Sequence, residues 1–240
     1  MQLYFIRHGQ SANNLLWDRT GASKGRSHDP ELTDLGRRQA EVLAQFLKRT
    51  DPAAVVNGRD TQNVAGFGLT HLYTSLMVRA VATADIIAGV LGLPPVAWVD
   101  LHEGGGIYID DEETGRPIGQ PGNNRAYFET HYPRLALPES LGEAGWWNRP
   151  VEEPEQRPVR ARRFLNDLIG RHGGTEDRVA VISHGGFYND VLAALLDWHL
   201  RDGYWFVLTN AAITRIDFTA DGIDMVYLNR ADFLPRNLIT

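Results

Sequence analysis

The chain has 240 residues, of which 43% are hydrophobic and 22% are charged, and its formal net charge is −6. This length fits one large α/β domain, and the negative charge gives no basic footprint for nucleic acid or an anionic membrane. The absence of cysteine excludes disulfides, thiolate metal sites and cysteine nucleophiles. With no signal-peptide pattern and no apolar run of membrane-spanning length, we expect a cytoplasmic protein.

Predicted strands and helices alternate along the chain. Short β-branched or aromatic runs bounded by glycine or proline indicate buried strands, and apolar residues three or four apart indicate helices. In chain order we predict a strand over 3–6, a loop over 9–30, a helix over 33–49 capped by Thr33, a loop over 57–68, a strand over 72–74, a helix capped by Ser75 that ends before Pro94, and a strand over 96–101. After an irregular segment we predict a helix over 160–171, a strand over 179–183, a helix through Leu196 and a closing strand pair over 212–218 and 222–228. This order predicts an α/β fold, a three-layer α/β/α sandwich with a mainly parallel sheet.

The irregular segment from 105 to 158 is rich in Gly, Pro, Asn and Glu. It also carries six aromatic residues, Tyr108, Tyr127, Phe128, Tyr132, Trp146 and Trp147. Disordered linkers rarely contain so many aromatic side chains, so we expect a structured insertion. We therefore predict a single domain over residues 1–240, with residues 104–160 as an inserted cap or lid.

Two histidines follow predicted strands in matching contexts. His8 follows the run LYFIR and precedes a glycine, and His184 follows VAVIS and precedes two glycines. In an open α/β sheet, ligands bind in the crevice outside the carboxyl ends of the strands. We therefore expect both imidazoles, together with Arg7, to lie in one cleft.

Residues 7–14 (RHGQSANN) resemble the signature of the histidine phosphatase superfamily, also called phosphoglycerate-mutase-like. Gln10 and Ser11 replace the commonest Glu-Thr of that signature. Four further blocks are similar to the family's motifs and occur in its order: residues 32–40 (LTDLGRRQA), 73–84 (YTSLMVRAVATA), 101–103 (LHE) and 183–186 (SHGG). The resemblance implies the phosphoglycerate-mutase-like fold and runs from residue 3 to about residue 196, leaving only the region 104–160 unmatched.

The resemblance implies phosphomonoester chemistry through a phosphohistidine at His8. A phosphomonoester carries about two negative charges near neutral pH, which Arg7 and Arg79 can clamp. Their positive charges also disfavour protonation of a nearby imidazole, which leaves His8 a free ring nitrogen for attack on phosphorus. Taken alone, Arg79 has an ordinary explanation as a solvated helix residue; within the ordered set of motifs, the phosphate role is favoured.

The same resemblance gives roles to three further residues. His184 and Asn14 would hold the phosphoryl oxygens, with Asn13 as a rival for the role of Asn14. Glu103 would protonate the leaving oxygen and then deprotonate the incoming water. Without the resemblance, the ordinary interpretation of Glu103 is a surface carboxylate, and that of Asn14 is a loop cap.

The branch of the family is indicated by two missing motifs. Cofactor-dependent mutases usually carry Gly-Trp-x-Asp before the Leu-Thr block and Glu-Arg-x-Tyr-Gly-x-Leu-x-Gly from the glutamate onward. Here residues 27–31 (SHDPE) and 103–108 (EGGGIY) stand in those places, and residues 104–160 hold ten acids against six arginines. We therefore favour a phosphatase acting on a small phosphorylated metabolite; a mutase and a non-catalytic phospho-ligand sensor are the alternatives. A homodimer is compatible with the sequence.

We expect no metal and no cofactor. His102 beside Glu103 suggests a chelate with His8 and His184, but neighbouring residues on a strand point to opposite faces. The arginines already supply compensating charge for a phosphate.

Substrate choice is expected from one of two places. Trp146 and Trp147, and with them Ser11, are candidates for the substrate pocket, where the indoles could cover an apolar or ring-containing leaving group. The alternative is that the two tryptophans form the insertion's own small core. In that case the loop over 15–30 would select the substrate.

Overall fold

The computed structural model describes residues 1–51, 53–54, 58–198 and 203–240. The helices are α1 Ala12–Thr20, α2 Asp34–Lys48, α3 Val78–Leu91, α4 Arg125–His131, α5 Gln156–His172 and α6 Gly185–Leu195. The strands are β1 Gln2–Arg7, β2 His71–Thr74, β3 Val96–Ala97, β4 Tyr108–Asp110, β5 Pro117–Gly119, β6 Arg178–Ser183, β7 Ile213–Phe218 and β8 Ile223–Arg230. Asn57, the first residue of the predicted loop 57–68, lies outside the described residues.

Six strands form the central sheet in the order β3-β2-β6-β1-β7-β8. β1, β2, β3 and β6 run parallel to one another. β7 pairs antiparallel with both β1 and β8, and β8 forms one edge of the sheet. The α/β fold with a mostly parallel sheet is therefore confirmed, as is the predicted closing strand pair.

Helices cover both faces of this sheet, which explains why its central strands are apolar throughout. In β1, Leu3 and Phe5 pack in one core cluster with residues of α5 and α6. Tyr4 and Ile6 point the other way and pack with residues of α2 and α3. Successive strand residues face opposite sides, so burial on both faces requires a continuous apolar run.

The predicted loop over 9–30 is wrong in its first half, because it contains α1. Ser11 caps this helix: its hydroxyl accepts the Asn14 N–H, and the Asn14 side chain accepts the Ser11 N–H in return. None of the nine residues of α1, all of them described, is fully buried. An amphipathic pattern was therefore missing from the sequence, and a capping box with Asn in place of Glu or Gln is a weak signal.

Three other element boundaries differ from the predictions. Ser75 does not cap α3, which begins at Val78; its hydroxyl instead accepts the Met77 N–H. The predicted strand over 96–101 is reduced to β3, followed by a 3₁₀ turn over Val99–Leu101. The helix predicted from residue 160 begins four residues earlier, at Gln156.

The segment after Glu103 is folded around an apolar cluster that it shares with residues at the start of α3. It contains the β4–β5 hairpin and α4. The core cluster joins insertion residues to the start of α3: Leu76, Met77, Val81, Ile107, Phe128, Leu135, Leu141, Trp146 and Trp147. Within the part of the chain that the structure describes, no helix combines the length and the apolarity needed to cross a membrane.

Candidate active site

Strand register brings the two histidines together. Arg7 at the end of β1 is paired with Ser183 at the end of β6, so His8 and His184 emerge side by side. The His8 N–H donates to the Ser183 carbonyl over 3.0 Å, and the two imidazole centroids are 5.0 Å apart. The structure thus brings together the two residues singled out from the sequence.

Hydrogen bonds select the tautomer of His8. Its Nδ1 lies 2.6 Å from the Gly9 carbonyl oxygen, which can only accept, so Nδ1 carries the proton. Its Nε2 lies 3.2 Å from Nε of Arg79, which donates to it. Nε2 is therefore the nitrogen with the available lone pair. The carbonyl also fixes the orientation of the ring.

Burial keeps both imidazoles neutral. The pKa of His8 is held well below its ordinary value by burial, and further by the charges of Arg79 and Arg7. The pKa of His184 is also well below its ordinary value, because the ring is buried and because Arg79 is positively charged. Both ring nitrogens of His184 are buried and have no hydrogen-bond partner among the described residues. A phosphoryl oxygen could accept a hydrogen bond from the protonated one.

Two arginines flank His8. Arg79 lies in the first turn of α3, is buried, and pairs through Nη1 with Asp29 Oδ1 at 3.8 Å. Arg7 donates through Nη1 to the Leu208 carbonyl, while its Nε is buried without a partner in the described part of the chain. A guanidinium held by one edge leaves its other N–H groups for a phosphate.

Asp29 was not identified from the sequence. Its side chain is only 3% exposed; it accepts the Val78 N–H at the start of α3 over 3.0 Å and the Asn123 amide over 3.4 Å. Burial raises the pKa of Asp29 to about 6, against the opposing effect of Arg79. Its partners are 49 or more residues away in sequence, so no local pattern marks its role in placing Arg79.

Glu103 is anchored at the amino end of α6. Its Oε1 accepts the Gly104 and Phe187 N–H groups over 2.9 and 3.0 Å, and Oε2 accepts the Gly186 N–H over 3.1 Å. These three N–H groups fix the position and orientation of the carboxylate. Gly186 permits the approach, because a β-carbon there would lie 2.3 Å from Oε1.

The two candidate asparagines differ in what their amides bind. Asn13 donates through Nδ2 to the Ser27 carbonyl over 2.8 Å and accepts the Ser27 N–H through Oδ1 over 2.9 Å. Asn14 accepts through Oδ1 from Ser11 and, over 3.3 Å, from Asn210, whose amide also donates to the His8 carbonyl. The amide nitrogen of Asn14 is therefore the better candidate for a phosphoryl oxygen.

A cavity of about 190 Å³ lies in front of these groups. Its lining includes seven of the residues considered from the sequence: Arg7, His8, Ser11, Asn13, Asn14, Arg79 and Glu103. His184 is fully buried and is not part of this lining. Side chains of α1 and of the following loop complete it, among them Leu16, Trp17 and Arg26.

Trp146 and Trp147 do not line this cavity. Both are buried in the core of the insertion, with ring centroids 5.6 Å apart. Gly106 provides the room, because a β-carbon there would overlap the Trp147 ring at 2.1 Å. This position corresponds to the alternative in which the tryptophans form the insertion's own core.

His102 also faces the insertion. It follows a 3₁₀ turn, so the argument from strand alternation does not apply to it. Its ring instead packs against Trp147 at 4.7 Å, its Nδ1 lies 2.8 Å from the Glu103 carbonyl, and burial lowers its pKa. Its position is therefore that of a packed core histidine.

One group with metal-ligating spacing occurs among the described residues, at the other end of β2. It consists of His71, His172 and Asp177. His172 already pairs through Nδ1 with Asp177 over 2.8 Å and through Nε2 with the Tyr73 hydroxyl over 3.0 Å. A histidine whose two nitrogens are both engaged is a poor ligand, and the group lies apart from the cavity at His8.

Comparisons with known proteins agree with the motifs. The model of the histidine phosphatase superfamily (branch 1) matches residues 3–231. A relative in Hydrogenobacter thermophilus, provisionally named phosphoserine phosphatase 2, is 26% identical over 95% of each chain. A relative in Yersinia pestis (strain Pestoides F), provisionally named phosphoglycerate mutase GpmB, is 33% identical over 91% of this chain and 85% of its own.

Solved structures share the fold. Phosphoserine phosphatase of Entamoeba histolytica, in complex with 3-phosphoglyceric acid, aligns with a TM-score of 0.59 at 22% identity and covers 98% of this chain and 99% of its own. A mycobacterial glucosyl-3-phosphoglycerate phosphatase aligns with a TM-score of 0.58 at 19% identity, over 96% and 99%.

Proposed function

Since the chain belongs to branch 1 of the histidine phosphatase superfamily, we propose that it is a phosphomonoester hydrolase that works through a phosphohistidine on His8. One observation carries the proposal. His8 is a neutral imidazole whose Nδ1 proton is held by the Gly9 carbonyl and whose Nε2 faces Arg79. An oriented, uncharged nitrogen beside cationic groups is what attack on a phosphate requires.

In the first step, His8 Nε2 attacks phosphorus in line with the ester oxygen. The P–N bond forms, the P–O ester bond breaks, and Glu103 gives its proton to the leaving oxygen. Arg79 Nε, which donates to Nε2, transfers its hydrogen bond to a phosphoryl oxygen as the P–N bond forms.

In the second step, water attacks the phosphohistidine. Glu103, now ionised, takes a proton from the water, the new P–O bond forms and the P–N bond breaks. Phosphate leaves and Nε2 regains its lone pair. Arg7, Arg79 and His184 bind the phosphoryl oxygens in both steps, so the same hydrogen bonds stabilise both transition states.

The mutase alternative has less support. One relative bears a phosphoglycerate mutase name, but the chain lacks both mutase motifs, at residues 27–31 and 103–108. In place of the second motif stand three glycines and the β4–β5 hairpin. We therefore place water, not a second substrate alcohol, as the acceptor of the phosphoryl group.

The test measures hydrolysis of an aryl phosphate and traps the phosphoenzyme. The wild type should release phosphate and form an acid-labile, base-stable adduct, and His8→Ala should do neither. The matched control is His28→Ala, which alters an exposed histidine outside the cavity lining. Phosphoglycerate interconversion is then followed with and without bisphosphoglycerate. Interconversion faster than hydrolysis would indicate a mutase; neither reaction would indicate a sensor.

A further inference from the structure

A third arginine lines the catalytic cavity. Arg26, in the loop after α1, is half-buried there beside Arg7 and Arg79, and its charge is close enough to oppose that of Arg79. Among residues 1–51, 53–54, 58–198 and 203–240, no carboxylate pairs with its guanidinium. Arg79 pairs with Asp29 and Arg7 donates to the Leu208 carbonyl, whereas the Arg26 guanidinium donates no hydrogen bond within the described part of the chain.

The insertion fixes the position of Arg26. Its guanidinium lies over the ring of Tyr108, at 4.2 Å from the centroid, and Tyr108 begins β4. A cation over an aromatic ring is attracted by the ring quadrupole and keeps its N–H edges free for other partners. Stacking thus orders the side chain without neutralising it.

Two glycines place Tyr108. Gly105 has a φ of +85°, and a β-carbon there would lie 2.7 Å from the Tyr108 ring. Gly106 has a φ of +77° and makes room for Trp147. The chain can therefore turn back directly after Glu103 and carry an aromatic ring to the cavity. The aromatic residue of the insertion that reaches Arg26 is Tyr108, not a tryptophan.

The pairing of the arginines indicates what Arg26 binds. Arg7 and Arg79 flank His8, where the phosphoryl group would bind, whereas Arg26 stacks on Tyr108 of the insertion. Arg79 is already paired with Asp29, and a carboxylate on the substrate would give Arg26 a partner of its own. Arginine donors match a carboxylate in a two-pronged geometry.

We propose that Arg26, supported by Tyr108, is a subsite for a carboxylate on the leaving group. The inference rests on the proposed phosphatase and names its substrate class, a short phosphomonoester with a second anionic group. The cavity of about 190 Å³ is smaller than the roughly 300–1,000 Å³ of ordinary ligand pockets, which favours a leaving group of a few carbons.

The test uses two pairs of ligands that differ in a carboxylate. They are 3-phosphoglycerate with glycerol 3-phosphate, and O-phosphoserine with phosphoethanolamine. Affinities are measured by calorimetry in a His8→Ala background, which binds without turnover, and kcat/KM is measured in the wild-type background. We expect a carboxylate preference of about 10- to 100-fold, the range of one charge-assisted hydrogen-bond pair.

Variants assign that preference. Arg26→Gln should remove it, whereas Lys24→Gln, which deletes a charge from the same loop but outside the cavity lining, should keep it. Tyr108→Leu should weaken the preference and Tyr108→Phe should retain it, because phenylalanine preserves the stacking. The conservative variant thus separates positioning from a general loss of structure.

The possible outcomes are distinct. The inference would be overturned if the parent protein showed no preference for the carboxylate-bearing ligands. It would also be overturned if Arg26→Gln weakened the binding of both members of each pair equally, because Arg26 would then bind the phosphate. An Arg26-dependent preference in binding without hydrolysis of any ester would uphold the subsite and refute the phosphatase. Hydrolysis with an Arg26-dependent preference supports both.

Discussion

Gly186→Ala tests whether the placement of Glu103 matters for turnover. A β-carbon on residue 186 would lie 2.3 Å from Oε1 and 3.0 Å from Cδ of Glu103, against about 3.4 Å or more in ordinary contacts. The carboxylate must therefore move by about 1 Å, away from the N–H groups of Gly186 and Phe187. A misplacement of about 1 Å in a reacting group can cost about 100-fold in rate.

The effect on stability is bounded by the same contacts. Each charge-assisted hydrogen bond contributes about 1.5–3 kcal/mol, so losing both of those from α6 lowers the free energy of unfolding by at most about 3–6 kcal/mol. Alanine in a helix returns up to about 1 kcal/mol relative to glycine. Water in the open cavity replaces part of the lost bonding, so the folded variant should be recoverable for assay.

The assay compares an alkyl phosphate with an aryl phosphate. A general acid matters more for a poor leaving group, so Gly186→Ala should lower kcat by about 100-fold for the alkyl ester and by less for the aryl ester. Gly170→Ala is the control: it is also helical, and a methyl group there would meet no described atom within 4 Å. A folded Gly186→Ala protein with wild-type kcat on the alkyl ester would refute the acid/base role of Glu103.

Three further predictions concern pH, stability and metal. Because the pKa of His8 is lowered, the neutral, nucleophilic imidazole persists on acidification. The burst of phosphoenzyme formation should therefore be undiminished at pH 6 and should fall only when the pH drops through the lowered pKa of His8. A burst that is half lost at pH 6.5 or above would contradict this prediction. Glu152→Ala should lower the free energy of unfolding, measured with urea, by about 3–5 kcal/mol, because it leaves the buried Arg160 without its carboxylate partner, which lies 2.6 Å from Arg160 Nε. The control is Asp197→Asn, which removes one charge of an exposed pair and should change the free energy of unfolding by at most about 0.5 kcal/mol. Activity should survive exhaustive dialysis against a chelator, since arginines supply the charge for phosphate; a loss restored by a divalent cation would revive a metal role.

The sequence was informative where short-range pattern and topology coincide. His8 and His184 could be placed together because each ends a buried strand and the carboxyl ends of parallel strands share one edge. Arg79 could be added because residues 73–84 resemble a motif of the family. The placement of the two histidines follows from strand direction and needs no knowledge of packing.

Other features depend on packing that the sequence does not encode locally. Composition could not decide whether Trp146 lined a cavity or a core, because both uses need the same side chain. Asp29 contacts the start of α3 only in the folded chain, so its role in positioning Arg79 has no local sequence signal. Arg26 is likewise a candidate for substrate binding only because the folded hairpin places Tyr108 against it.

The lack of burial in α1 has a thermodynamic consequence. This helix provides one wall of the cavity through Asn14, Leu16 and Trp17, yet Trp17 is 58% exposed. The polar contacts that hold the helix include its cap and the Asn13–Ser27 pairing. Segments with few buried contacts open at a free-energy cost well below that of global unfolding. Backbone amides of α1 should therefore exchange with solvent much faster than those of α2. A ligand bound to Asn14 slows that exchange in proportion to its occupancy, so local folding of this wall and substrate binding are linked equilibria.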